Sequence, residues 1–374
     1  MNENQKKFNI YVFLSTFARN LIEVFIPVIL YKFGYNLKEV IFYYFLVNVS
    51  SLIISPLFVK ISKKYNNKIL AITGMIFFIL TQVLLNKITY SYFYLILIAI
   101  CYAIYRRGYW ISRRFYNLKI IEKKDISKSY SIVSIANQIG LIFSSYIGSY
   151  LLDFVSIKVL TLISIVLFFI GILCLYKLNF VHEKNNTPLE IIKTFKQIPK
   201  RNLYLFGSYE LINVLNFFLS LYLFIYIKNN YQTIGILNIF SNIATILFAY
   251  LYGNKINGKK NYLKLSIIFT IIIYFLNVNT TSFLLIIISF LKGISTKMYE
   301  ISISKEFYIL SKKFEYQNYN LIYELTHNIF RAIPLLIGLL FTNDLKHLMY
   351  ITLSIMFISL FLNFKYIKSK DYEV

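Results

Sequence analysis

The sequence predicts an all-α membrane protein with twelve transmembrane helices in two pseudo-symmetric six-helix bundles. Of its 374 residues, 58% are hydrophobic and only 15% are charged, whereas an ordinary soluble domain carries roughly 25% charged residues. The mean hydropathy of +0.61 applies to the whole length, so one signal peptide does not account for the apolar surplus. Two further observations complete the prediction: the apolar residues fall into evenly sized stretches, and the two parts of the chain repeat each other.

The apolar stretches have the length that a transmembrane helix needs, about 20 residues for roughly 30 Å of hydrocarbon. The first stretch is too long for a cleavable signal and has no small-residue cleavage site. Runs such as 284–288 do not alternate in polarity, which excludes barrel strands. The twelve predicted spans are, approximately, residues 9–32, 39–59, 69–86, 90–111, 129–152, 157–176, 203–227, 233–254, 262–278, 281–302, 319–342 and 347–364.

The 40 lysine and arginine residues are divided unevenly between the two sides of the predicted bundle. If the N-terminus is cytoplasmic, 28 of them fall in cytoplasmic segments and 6 in outside loops. Basic residues favour the cytoplasmic side of a membrane protein, so both termini are predicted to be cytoplasmic. Membrane orientation thus explains the net charge of +24, and no nucleic-acid partner is predicted.

The residue types that carry metal, redox or ATP chemistry are scarce. Cys101 and Cys174 both lie in apolar runs, and the chain has 3 histidines. No phosphate-binding loop of the Gly-x4-Gly-Lys-Ser/Thr type, no HExxH and no CxxC occurs in the sequence. The sequence therefore predicts neither a metal site nor a cofactor, and it argues against a membrane enzyme.

A polar central segment divides the chain into two parts. Residues 1–176 are predicted to form an N-terminal six-helix bundle, 177–202 a cytoplasmic central loop, and 203–374 a C-terminal six-helix bundle. Within the central loop, residues 189–198 are amphipathic and bracketed by prolines. A short amphipathic segment of this kind is predicted to lie on the membrane surface.

Several polar features recur about 190 residues apart. Asn20 in span one corresponds to Asn216 in span seven, and Arg106 in span four corresponds to Lys297 in span ten. The order of these features is the same in both parts of the chain. This shared order favours two duplicated six-helix halves.

Two basic turns provide the closest similarity to a known family. They follow spans two and eight and contain Lys60, Lys63 and Lys64, and Lys255, Lys259 and Lys260. These turns resemble the loop signature Gly-x3-Asp-Arg-x-Gly-Arg-Arg of the major facilitator superfamily, although Val59 and Asn254 stand where that signature has its acidic residue. The resemblance implies two bundles that rock around a central cavity. It also implies that spans one, four, seven and ten line that cavity.

Ionisable side chains within the spans are candidate site residues, because each costs about 2.5–3.5 kcal/mol at the bilayer centre on translocon scales. Substrate contact is predicted for Arg19, Arg106, Lys292, Asn20 and Asn216. Proton coupling is predicted for one or more of Glu23, Glu210, Glu324 and His327. Histidine is included because it titrates near physiological pH.

Structural interpretations of these residues stay open beside the functional ones. Arg19 and Glu23 are spaced to pair on one helix face, and Lys297 and Glu300 have a similar spacing. The ladder of Glu324, His327 and Arg331 predicts either a proton relay or a polar seam between helices. Asn137 and Gln138 are predicted to form interhelical hydrogen bonds. For Arg107, the guanidinium either faces the cavity or, as the sequence favours, reaches the inner membrane interface.

The predicted function is secondary transport of a small organic solute. Basic groups outnumber acidic groups within the spans, which favours an anionic or zwitterionic solute. Export across a bacterial-type inner membrane is preferred to uptake, and an antibiotic-like or peptide-like product is one candidate cargo. The predicted partners are this solute and membrane lipid, with the protein as a monomer. A flippase for lipid-linked substrates, a proton-coupled nutrient permease and a membrane scaffold are the alternatives.

Overall fold

A computed structural model describes residues 3–120, 126–178, 188–228, 230–252, 260–280, 284–341 and 344–367. These residues form α-helices, one π-helical turn and short connections, without a strand among them. The helices are α1 Glu3–Glu23, α2 Ile26–Lys32, α3 Leu37–Lys64, α4 Asn67–Asn86, α5 Tyr92–Ile120, α6 Ile126–Phe154, α7 Ile157–Tyr176, α8 Ile191–Gln197, α9 Lys200–Leu223, α10 Tyr231–Tyr252, α11 Lys260–Asn279, α12 Leu284–Lys313, α13 Tyr316–Phe341 and α14 Leu345–Ile367. The π-helical turn, Phe224–Lys228, extends α9.

Twelve of the helices in the described residues are 20 to 30 residues long. Each of them corresponds to one predicted span. Within the described residues, eight candidate spans are both long and apolar enough to cross a membrane. Helices α11 and α14 contribute shorter apolar segments, Leu265–Asn279 and Leu345–Ser359, and α5 and α12 carry several charged residues. The all-helical membrane fold is confirmed, and the full count of twelve spans stays a prediction.

The first predicted span consists of two helices, because α1 ends shortly before Pro27. Proline has no backbone N–H and cannot continue the hydrogen-bond ladder of a preceding helix. It is well tolerated in the first turn of a new helix, which is its position in α2. The break lies beside Glu23, the last residue of α1.

The helix contacts repeat between the two parts of the chain. Helix α1 packs on α6 and α7, and α3 and α4 pack on α5. In the same way, α9 packs on α13 and α14, and α10 and α11 pack on α12. We call α1–α7 the first half and α9–α14 the second half. The exact division at residues 177 and 202 remains our interpretation.

The halves meet through two long helix pairs that correspond to each other. Helix α3 packs on α13, and α6 packs on α10. We call the end of the bundle where α3 ends and α13 begins the basic end, and the other end the opposite end. The amphipathic segment of the central loop forms α8, which packs on α13. Its Ile192 and Phe195 side chains are exposed.

Helix α5 is longer than the sequence predicted. The predicted span four stops near residue 111, but α5 continues to Ile120. Arg113 and Arg114, which were expected in a cytoplasmic loop, are therefore helical, and Arg113 is buried. The prediction was wrong because it treated charged residues as the end of the span, whereas α5 continues where those charges find partners inside the bundle.

The predicted loop signature lies partly within a helix. Lys60, Lys63 and Lys64 occupy the last turns of α3. Lys63 is buried, and its Nζ is 2.7 Å from a carboxylate oxygen of Glu315 at the start of α13. In the second copy, Lys255 and Lys259 lie outside the described residues, and Lys260 begins α11.

Candidate functional site

A cavity of about 490 Å³ lies between the two halves. Its volume falls in the range of small-molecule sites, roughly 300–1,000 Å³. The four helices that correspond to spans one, four, seven and ten (α1, α5, α9 and α12) all contribute to its wall. Side chains from α3, α6, α10, α11 and α13 complete it.

All of the sequence-predicted site residues outside the basic turns lie on this cavity. The five predicted substrate contacts and the four predicted proton-coupling residues come from α1, α5, α9, α12 and α13. They are Arg19, Asn20, Arg106, Asn216 and Lys292, and Glu23, Glu210, Glu324 and His327. Their roles in substrate contact and proton coupling remain predictions, which the contacts below make more specific.

On α1, Arg19 and Glu23 form the predicted ion pair within one helix. The Arg19 Nε lies 2.6 Å from a carboxylate oxygen of Glu23. The hydroxyl of Tyr102 donates a hydrogen bond to the same carboxylate. The Arg19 guanidinium also lies 5.2 Å from the ring centroid of Trp110, within the range of a cation–π contact. The charge of Arg19 is thus balanced within the first half.

Arg106 has a different environment. Its side chain is buried, and its Nη1 donates a hydrogen bond to Oδ1 of Asn48 at 3.2 Å. The described part of the chain places no carboxylate within 4.0 Å of this guanidinium. The amide orients the arginine without neutralising its charge.

Lys292 in the second half has an equivalent arrangement. Its Nζ lies 3.4 Å from Oδ1 of Asn216, which also accepts a hydrogen bond of 2.8 Å from the Tyr274 hydroxyl. Among the described residues, no carboxylate oxygen lies within 4.0 Å of this ammonium. Lys292 therefore also contributes a positive charge to the cavity, held by an amide.

Glu210 on α9 collects the polar groups of α13. His327 Nδ1 lies 2.9 Å from one carboxylate oxygen, and Arg331 forms an ion pair with the other. Asn213 donates a further hydrogen bond of 2.7 Å from its amide. This network lies entirely in the second half and contains His327, the one histidine that the described residues place on the cavity wall.

Glu324 joins the halves and is separate from the Glu210 network. It pairs with both Arg107 and Arg114 of α5, and Arg114 also donates to Oδ1 of Asn320 at 2.9 Å. The predicted ladder on α13 is thus divided, because Glu324 faces α5 while His327 faces α9. Of the two interpretations of Arg107, the structure supports the cavity over the membrane interface, since this residue lies on the cavity wall, is 2% exposed and is paired with Glu324.

Contacts between the halves occur at both ends of the cavity. At the basic end, the Lys63–Glu315 pair adds to the Glu324 contacts. At the opposite end, the Asp153 carboxylate on α6 accepts hydrogen bonds from the backbone N–H groups of Tyr231 and Gln232, at 3.2 and 2.9 Å. A carboxylate is favourable at the N-terminus of a helix, so Asp153 caps α10 of the other half.

Sequence reasoning missed three residues of the site: Trp110, Arg113 and Arg114. Arg113 donates to the Tyr109 hydroxyl at 2.7 Å and to Oδ1 of Asn137 at 2.8 Å, so the predicted interhelical role of Asn137 is confirmed. A signal for these residues was present, because positions 106, 110, 113, 114 and 117 recur with helical spacing. Continuing that stripe past residue 111 places them on the cavity wall.

The charges on the cavity wall have a positive excess. Among the described residues of the wall, seven are arginine or lysine and four are glutamate: Arg19, Arg106, Arg107, Arg113, Arg114, Lys292 and Arg331, against Glu23, Glu210, Glu300 and Glu324. Each glutamate already pairs with a basic residue. In the part of the chain that the structure describes, no cluster of His, Cys, Asp and Glu is arranged to hold a metal ion.

Comparison with known proteins identifies the family. The sequence profile of the major facilitator superfamily matches residues 8–304. The chain belongs to this superfamily. It is thus a transporter of the major facilitator type, and the family resemblance of the sequence is confirmed. No curated protein sequence matches this chain significantly.

Several solved transporters share the fold. A bacterial homologue of the iron transporter ferroportin, in an outward-facing state, is 14% identical with a TM-score of 0.70, over 98% of this chain and 100% of that one. The nucleoside transporter NupG is 15% identical with a TM-score of 0.67, over 100% of both chains. The human organic anion transporter MFSD10 is 10% identical with a TM-score of 0.69, over 97% and 100%. At these identities the similarity concerns the fold alone.

Proposed function

We propose that this transporter moves a small organic anion or zwitterion through the central cavity by alternating access. The observation that carries the proposal is that Arg106 and Lys292 line the cavity without a carboxylate partner among the described residues. A buried cation is costly unless an anion accompanies it. An anionic solute supplies that partner. A cationic solute would instead need a carboxylate, and each of the four on the wall is already paired.

Binding can be measured without a label, because Trp110 is the only tryptophan in the chain and lies on the cavity wall. We expect organic anions to change the Trp110 fluorescence of the purified protein and to raise its unfolding temperature. A ligand at 100 times its Kd stabilises the folded state by about 2.7 kcal/mol. Arg106→Ala and Lys292→Ala should each weaken anion binding tenfold or more, since hydrogen bonds to charged groups contribute roughly 1.5–3 kcal/mol.

Two controls make this result specific. Lys193→Ala removes an exposed lysine of α8 that pairs with Glu190 and lies off the cavity wall, and it should leave anion binding unchanged. Trp110→Phe should abolish the fluorescence signal and preserve the thermal shift. Stabilisation by cationic compounds alone, unaffected in Arg106→Ala and Lys292→Ala, would contradict the proposal. Stabilisation by a lipid-linked compound with soluble anions inert would favour a flippase.

We further propose that Glu210 and His327 carry a coupling proton. Their 2.9 Å contact on the cavity wall supports this assignment, and protonation of either group changes the charge balance beside the solute. Glu210→Gln should preserve anion binding and abolish uptake into liposomes driven by an imposed pH gradient. The matched control is Glu306→Gln, because Glu306 lies off the cavity wall and pairs with Arg201. Equal pH-driven transport in both variants would exclude Glu210 from coupling.

For direction and location we propose export, by a monomer, across a bacterial-type inner membrane with both termini in the cytoplasm. The excess of basic residues on one side of the bundle supports this orientation. Export of an antibiotic-like or peptide-like product is one form of the proposal. Gene deletion should then lower both secretion of the product and resistance to it. Unchanged secretion and resistance would remove export of such a product from consideration.

A further inference from the structure

The positive charges of the cavity differ in how they are balanced. Glu324 is shared by two arginines of α5, and Glu210 is engaged by His327 and Arg331. Glu23 is engaged by Arg19, and the fourth carboxylate of the wall, Glu300, lies 3.0 Å from Lys297. Among the described residues, no carboxylate on the wall is therefore left to balance a further cation.

This pairing leaves three cations of the wall without a carboxylate within 4.0 Å among the described residues: Arg106 and Arg113 on α5, and Lys292 on α12. Arg113 is held by two short hydrogen bonds, to the Tyr109 hydroxyl and to Oδ1 of Asn137. Arg106 and Lys292 each have one longer contact with an amide oxygen. Arg106 is fixed to Asn48 in the first half, and Lys292 is fixed to Asn216 in the second half. Both side chains are buried, at 6% and 7% exposure. Each is oriented by a neutral amide oxygen, so both charges stay available to a ligand.

We propose that the cavity binds an organic dianion with two separate anionic groups, one engaging Arg106 and the other Lys292. This inference rests on the proposed function, because it specifies the class of anion that the same cavity accepts. A single anionic group balances only one of the two buried cations. A molecule with an anionic group at each end balances both cations. Because one cation belongs to each half, the bound molecule also links the two halves.

This mode of binding has a consequence for transport. A ligand shifts a conformational equilibrium only through its different affinity for the two states. A dianion that spans the halves binds best when both halves are close to it, and it therefore favours the state in which the cavity is closed around it. A monoanion held by one half lacks that difference. The dianion is then both the better ligand and the better substrate.

The test uses probes that differ by one charge. Succinate, glutarate and adipate are compared with their monomethyl esters, which keep the chain and lose one negative charge. Binding is followed by Trp110 fluorescence and by thermal unfolding of the full chain. We expect at least one diacid to bind tenfold or more tightly than its ester, which matches the usual contribution of one charged hydrogen bond.

Variants at each end of the proposed site test the assignment. Arg106→Gln and Lys292→Gln should each reduce the affinity for the diacid to that of its ester, and the double variant should lose both. The charge-preserving changes Arg106→Lys and Lys292→Arg should retain a preference for the diacid, which separates loss of charge from loss of folding. The exposed-lysine variant Lys193→Gln is the control and should match the wild type.

The outcomes separate this inference from the function on which it rests. If the esters bind as tightly as the diacids, and binding is lost in Arg106→Gln or Lys292→Gln, the dianion proposal is overturned. The proposal of an anion transporter is then still supported. Diacids preferred equally in the wild type and in both glutamine variants would overturn the assignment to these two residues. Binding of cationic compounds alone would overturn both proposals.

Discussion

At the scale of single residues, Glu324 balances the charges of two arginines at once. It is 1% exposed and is the carboxylate partner of both Arg107 and Arg114. The buried guanidinium of Arg107 and the partly buried one of Arg114 depend on this carboxylate for charge balance, because several kcal/mol per ion are lost on leaving water. Glu324 thus stabilises the helix α5 charges as well as the contact between the halves.

Glu324→Gln is expected to destabilise the protein by about 3–5 kcal/mol, because removing one partner leaves buried charges uncompensated. The measurement is unfolding of the purified protein in detergent. Glu306→Gln is the matched control, since Glu306 is 26% exposed and 3.5 Å from Arg201, and it should cost about 1 kcal/mol or less. Similar losses in the two variants would show that the Glu324 network does not stabilise the fold.

At the scale of helices, two glycines permit close packing in different places. A β-carbon at Gly108 would lie 2.5 Å from the carbonyl oxygen of Leu70, within the first half. A β-carbon at Gly235 would clash with the Ser149 hydroxyl and lie 2.7 Å from the carbonyl oxygen of Ser145, both on α6 of the other half. The first contact joins α4 and α5, and the second joins the two halves near the opposite end.

These positions predict different consequences of the same substitution. Gly108→Val should lower stability by about 1–3 kcal/mol, the usual cost of overpacking. Gly235→Val should keep α10 away from α6, and so reduce transport tenfold or more with a smaller loss of stability. Thermal unfolding and liposome transport measure the two effects. A Gly235→Val protein that transports at the wild-type rate would contradict this role for the α6–α10 contact.

The predictions for helices were confirmed where the hydropathy of a segment alone decides that it forms a long helix. Hydropathy placed each of the twelve long helices within the chain, because lipid requires a helix to satisfy its own backbone hydrogen bonds. The end of α5 was missed because Arg113 and Arg114 are stabilised by Asn137 and Glu324 from other helices. The break before α2 was also missed, although Pro27 is a local signal.

At the scale of the whole molecule, the Lys63–Glu315 pair joins the two halves at the basic end. Lys63→Glu should place like charges opposite each other and favour opening of the cavity at this end. Adding Glu315→Lys should restore the pair and most of the wild-type behaviour. The opening is measured as the labelling rate of a cysteine placed in the cavity at Ser304. Lys63→Glu should raise this rate tenfold or more.

The labelling experiment requires a background without Cys101 and Cys174, the two native cysteines. Lys60→Glu is the control, because Lys60 is exposed on the same helix and has the same charge. Its labelling rate should match the wild type. A double variant that labels as fast as Lys63→Glu would show that the Lys63–Glu315 pair does not control this end.

The sequence by itself determined the membrane fold, the family and the helices that line the cavity. It also predicted seven ionisable residues that line the cavity, since an ionisable side chain in a span is costly wherever it lies, and the internal repeat added Asn20 and Asn216. Only the tertiary structure decided how those charges are paired. Glu324 joins the arginines of α5 and Glu210 joins His327, while Arg106 and Lys292 keep only amide partners among the described residues. Pairing depends on which helices meet in space, and one-dimensional spacing does not record it.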